Sequence, residues 1–126
     1  MPTLWTDAEL NATADWKAAR VLEVGLHDGD PGVAGTSNEA SGGSPAYARQ
    51  DPAWDDAGVE GVLGVSQPAT DGVAWGYVEF DVPAGEYTFL SLWGAADVFL
   101  GKIEIPTQTT VAQDQVKVSL PMNANN

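Results

Sequence analysis

The chain has no cysteine, a single histidine, and only five lysines and arginines among its 126 residues. Without cysteine there is no disulfide framework, no thiolate metal site and no cysteine nucleophile. So few cations cannot line a phosphate backbone, which excludes a nucleic-acid binder working by charge. No apolar run approaches the ~20 residues of a membrane-spanning helix, so no membrane partner is expected. Met1-Pro2-Thr3-Leu4-Trp5-Thr6 lacks the basic start and apolar core of a secretion signal. What the chain has in quantity is acid: eighteen Asp and Glu bring the formal net charge to −13. Such a surface favours solubility and resists non-specific association. It also suits a protein packed in many copies on a particle and docked on a basic or neutral partner. Hydrophobic residues make up 44% of the chain, an ordinary share for a folded domain. A single domain over 1–126 can bury roughly two thirds of its unfolded surface, so it needs neither a metal nor a disulfide to fold, and no cofactor is implied.

Hydrophobic periodicity divides the chain in two ways. Thr6-Asp7-Ala8-Glu9 fits a capping box, and the Ala-rich run that follows places acids early and Lys17 and Arg20 late, as the helix dipole favours. One short N-terminal helix is expected within 1–19, its thin apolar content (Leu10, Ala14, Trp16, Ala18) resting on a sheet edge or on a neighbouring subunit. From Val21 the period is two, with Leu22, Val24 and Leu26 on one face of a first strand that ends at His27. Residues 28–45 form a long loop of Gly, Pro, Ser, Asn and Asp, each a turn former for its own reason. Short extended pieces are expected at Tyr47–Gln50 and Val59–Val65. Val78, Phe80 and Val82 face inward in the next strand, with Trp75 and Trp93 read as core. Tyr87–Trp93 reads as a central strand covered on both faces, and Val98–Ile105 as one stopped by Pro106. Thr107–Val111 and Gln115–Leu120 complete the set, ahead of a loose tail at 121–126. Seven or eight short strands between Gly and Pro turns predict a mainly β fold: an antiparallel β-sandwich of jelly-roll or Ig-like type with one short N-terminal helix.

Several blocks of the sequence, taken in order, carry a family resemblance: Leu26-His27 followed by Asp30-Pro31-Gly32; Asn38-Glu39, Gly42-Gly43-Ser44 and Tyr47-Ala48-Arg49; Phe80-Asp81-Val82-Pro83-Ala84-Gly85; Leu92-Trp93; and Phe99-Leu100-Gly101. Together they span most of 20–105. The chain resembles a small virion protein family of tailed bacteriophages, described as tail-fibre or minor tail proteins. It departs from that pattern after His27, where Asp28-Gly29 stands for the more frequent Thr-Ala. The resemblance implies a structural role in the virion, with assembly in the host cytoplasm and other virion proteins, tail or capsid subunits, as partners of a homo-oligomer. It brings no catalytic residues. Related sandwiches serve as capsid (head) decoration proteins that stabilise the capsid lattice, so the head is the alternative location.

Candidate chemistry is sparse. His27 beside Asp28 and Asp30 suggests a His–Asp base, but no Gly-x-Ser-x-Gly elbow supplies a nucleophile, and a histidine fixing the loop base is the simpler reading. Asp28, Asp30 and Glu39 are candidate oxygen ligands for calcium; their spacing is not that of an EF-hand loop. Asp55-Asp56 reads as a solvated loop rather than a glycosidase pair. Of five tryptophans, Trp5, Trp16 and Trp54 lie near the helix or in loops and are the interface candidates. A platform around Trp54 for a host surface glycan is a further alternative, and a hydrolase is the least supported class.

Overall fold

The computed structural model describes residues 5–54 and 72–123. Among the described residues it is mainly β, with two three-stranded antiparallel sheets and a single α-helix, in keeping with the β-sandwich class. The helix α1 spans Asp7–Arg20, and the strands are β1 (Glu23–His27), β2 (Ala53–Trp54), β3 (Val73–Val82), β4 (Gly85–Trp93), β5 (Phe99–Thr110) and β6 (Asp114–Asn123). The first sheet runs β1-β4-β5 and the second β2-β3-β6. The strand expected at Val59–Val65 and the pair Asp55-Asp56 lie outside the described residues.

The chain forms two compact units. One takes Met1–Arg20, Ala53–Tyr77 and Ser119–Asn126. Here the Thr6 hydroxyl accepts the Glu9 N–H at 3.2 Å, so Thr6 is the N-cap the sequence suggested. Ala14 and Ala18 are buried with Ala74 of β3, and Trp54 and Met122 pack against them. Small side chains at the contact let the helix backbone come close. Asn11 Oδ1 accepts the Gly72 N–H at 2.6 Å, and Lys17 Nζ donates to the Asn123 carbonyl at 2.9 Å. Trp54 lies over Gly76, where an added Cβ would come within 2.6 Å of its ring. Trp75 has the opposite phase to the buried Ala74 and Gly76 and is half-buried rather than core. Strand β6 continues through Pro121 and Met122 to Asn123, so the ordered strand reaches into the tail segment.

The other unit takes Val21–Pro52 and Val78–Val118. Val78, Phe80 and Val82 are buried as the alternation requires, and so are Val116 and Val118. In the first sheet Gly25 pairs with Ser91 and Leu26 with Leu90, which fixes two faces. Val24, Leu26, Leu90 and Leu92 bury one; Gly25, His27, Ser91 and Trp93 bury the other. A β1 buried on both faces needs a cover on each, and segment 28–50 supplies one of them. It pairs with β1 itself at two places: Val24 and Gln50 exchange hydrogen bonds, and Ala40 donates to Leu26. Leu22, placed with Val24 and Leu26 on one face of the first strand, precedes the strand and is exposed. Pro106 does not stop β5: the register slips between Tyr87 and Phe89, and the strand passes Pro106 at that irregularity to reach Thr110. A proline is tolerated there because β5 is an edge strand.

The β4–β5 connection is a tight turn in which Ala96 and Asp97 both have positive φ, 57° and 56°. Two non-glycine residues in that region make a turn of the type that favours Asn-Gly.

Candidate functional site

Among the described residues, a dense set of polar side chains lies where segment 28–50 meets the Gly25–His27–Ser91–Trp93 face of the first sheet. His27 is at its centre, with 0% of its surface exposed. Its Nδ1 lies 2.7 Å from the Ser37 carbonyl and its Nε2 lies 2.7 Å from Ser91 Oγ. A carbonyl can only accept, so Nδ1 carries a proton, and Nε2 shares the second hydrogen bond with the Ser91 hydroxyl. Ser91 Oγ in turn accepts the Trp93 indole N–H at 2.8 Å. Every polar atom of the set has a partner, which is the condition for burying such a network without loss.

Beside it Glu39 accepts two hydrogen bonds from Arg49, at 2.9 and 3.0 Å, and one from the Tyr47 hydroxyl at 2.7 Å. Tyr47 Oη accepts the Leu26 N–H at 2.9 Å, and its ring lies 6.1 Å from that of Phe80. The Arg49 guanidinium sits 3.9 Å above the Trp93 ring, a stacked and bidentate arrangement that lysine cannot reproduce. Gly25 leaves the room for all of this: a Cβ there would lie 2.5 Å from Ser91 Oγ and 3.0 Å from Glu39 Oε2.

Partial burial pushes the Glu39 carboxyl up, but the hydrogen bonds from Arg49 and Tyr47 outweigh it and hold the group below its ordinary value of 4.5. Burial, then the bond to Glu39, push the Tyr47 hydroxyl well above the tyrosine range. Because Glu39 ionises more readily in the folded chain, its stabilisation is complete above pH 4.5 and is lost as the pH falls through the lower folded value. Thermal unfolding followed from about pH 7 to about pH 3 is therefore expected to show an acid-side loss that is shallower in Glu39→Gln. Equal acid slopes in the two proteins would refute the assignment.

The remaining contacts of the loop are local latches. Asp30 Oδ1 accepts the Gly32 N–H at 2.8 Å and pairs with Lys102 at 2.6 Å. The Lys102 hydrogen bond, followed by that of Gly32, keeps the exposed Asp30 carboxyl below its usual range. Phe99 lies against Gly35, and the Gln113 side-chain amide accepts from the Ser44 N–H and donates to the Pro45 carbonyl, each at 3.1 Å.

The candidate ligands Asp28, Asp30 and Glu39 do not come together: Glu39 is committed to Arg49 and Tyr47, and Asp30 to Lys102. Among the described residues no group of three His, Asp or Glu is placed to hold a metal ion. The structure does join the imidazole to a hydroxyl. Ser91 is also 0% exposed, however, its oxygen already accepts from Trp93, and the third member is a carbonyl rather than a carboxylate. With no approach for a substrate, the pair secures the loop base. Trp5 and Trp16 are each 60% exposed, and Arg20 lies 5.2 Å from the Trp16 ring centroid. Trp54 is half-buried in the helix contact described above.

Sequence reasoning missed Ser91, Arg49 and Tyr47 as partners of His27 and Glu39. The available signal was the order Glu39, Tyr47, Arg49 within one turn-rich segment: a lone loop arginine two residues after a tyrosine, both within reach of the same acid.

A family model described as Podophage GP4 fiber I protein gp80 matches residues 4–118. No curated protein and no solved structure matches the chain.

Proposed function

Because the chain belongs to the Podophage GP4 fiber I protein gp80 family, we propose that it is a non-enzymatic structural subunit of a tailed-phage virion, an accessory protein on the particle surface associated with the tail or its fibres. The family match over residues 4–118 is the observation that carries this reading. The geometry supports it: the one buried hydroxyl–imidazole pair is sealed and serves to hold a loop, as a scaffold requires. In this reading the partners are other virion proteins and further copies of the chain, and assembly takes place in the host cytoplasm.

Docking on a larger assembly needs anchors whose removal leaves the subunit folded. Trp5 and Trp16 suit that role, being large, aromatic and mostly exposed on the N-terminal segment. Replacing both by alanine is expected to lower the amount of the protein in purified virions roughly tenfold or more, since hot-spot aromatics typically contribute above ~2 kcal/mol each. The isolated domain should keep its unfolding midpoint. An undiminished virion signal would show that the tryptophans are not anchors, and labelling the chain in the particle distinguishes tail from head.

A further inference from the structure

The charge of this molecule is unevenly placed. From Pro31 to Ala48 the only charged residue is Glu39, and Arg49 neutralises it; Ile105 to Gln113 contains none. The two stretches meet in the unit that holds the first sheet, because the Gln113 amide binds the backbone of Ser44 and Pro45 and lies against Gly43, next to Pro83. Ser41–Ala46 and Val111–Gln113 thus form one exposed, uncharged surface. Val111 projects from it 95% exposed, and Asp114 stands at its rim. Elsewhere the same unit exposes acids at Asp51, Glu79, Glu86, Asp97 and Glu104.

We propose that this surface docks a second copy of the chain. The inference rests on the reading of the protein as a multi-copy virion subunit and names the partner of one of its faces. Two bodies of net charge −13 repel wherever carboxylates are brought together, and like-charge juxtaposition costs several kcal/mol. The uncharged surface lets them touch without that cost. A basic partner would be drawn to the acidic faces instead and gains nothing here. The surface is also held in place before contact, by the Gln113 amide and by the Glu39–Arg49–Tyr47 set, so little ordering entropy is lost on docking.

The test is sedimentation velocity of the intact chain over a range of concentrations at physiological salt. The wild type is expected to associate. Val111→Asp combined with Ala46→Asp, both at exposed positions, is expected to weaken association roughly tenfold or more. Val33→Asp adds a like charge at a fully exposed loop position outside the surface and should change association little. A wild type that stays monomeric, a double variant that associates like the wild type, or a Val33→Asp effect as large as the double variant's would each overturn the proposal. If the chain is present in virions while the free protein is monomeric, only the self-docking surface fails. If it is absent from virions, the structural reading fails with it.

Discussion

Alanine at Gly25 is expected to destabilise the domain by about 3 kcal/mol, the combined scale of overpacking and of breaking a buried hydrogen bond. The added methyl would come within 2.5 Å of Ser91 Oγ, and Ser91 cannot retreat, because it is held between His27 Nε2 and Trp93 Nε1. The methyl also meets Glu39 Oε2 at 3.0 Å and Tyr47 Oη at 3.3 Å, so both polar sets are pushed at once. Denaturant unfolding of Gly25→Ala should show a lower midpoint with an unchanged slope. Gly101 makes the control: it lies in β5 of the same sheet, and a Cβ there meets nothing within 4 Å. A Gly25→Ala protein as stable as Gly101→Ala would mean that the network has room to spare.

His27→Ala is expected to cost about 4 kcal/mol, since it removes a fully buried ring and leaves the Ser37 carbonyl and Ser91 hydroxyl without their partners. The damage should be local first. Hydrogen exchange is expected to speed up most at Asp28 and Ala40, whose amides pair with Asn38 and Leu26 across the loop base. Ser91→Ala removes one of the two imidazole partners and orphans the Trp93 indole N–H, so it should lose less than His27→Ala. If His27→Ala unfolded at the wild-type midpoint, the histidine would not be the fastening described above.

Much of the fold is legible in the sequence where local and tertiary preferences agree. Thr6 caps α1 because its hydroxyl finds an amide three residues on, a strictly local event. Val78, Phe80 and Val82 alternate because one face of their strand is buried. Leu22 and Trp75 go astray for different reasons: alternation does not say where a strand begins, and a tryptophan in a strand reads as core by its bulk although Trp75 has the opposite phase to Val78 and Phe80. Pro106 misleads because proline removes a ladder donor, and whether that ends a strand depends on its having a neighbour on that side. The candidate site is half legible. His27 as the fastening of the loop base follows from its place at the end of β1. Its partner Ser91 does not, because the pairing of Gly25 with Ser91 is set by the sheet register. Glu39, a candidate cation ligand by its oxygens, is taken by Arg49, a choice settled by the stacking of that arginine on Trp93, far away in the chain.

The fastenings of the loop also bear on how the chain reaches this structure. His27 and Ser91 are 64 positions apart, Ser44 and Gln113 are 69, and Asp30 and Lys102 are 72. Each of these bonds needs a partner in β4, in β5 or just beyond it, so the early loop must wait for the second half of the chain. Such long-range closure slows folding to the millisecond-to-second range of all-β domains. It leaves β1 uncovered on one face in the interval, when a crowd of newly made copies would be most prone to pair their bare strands.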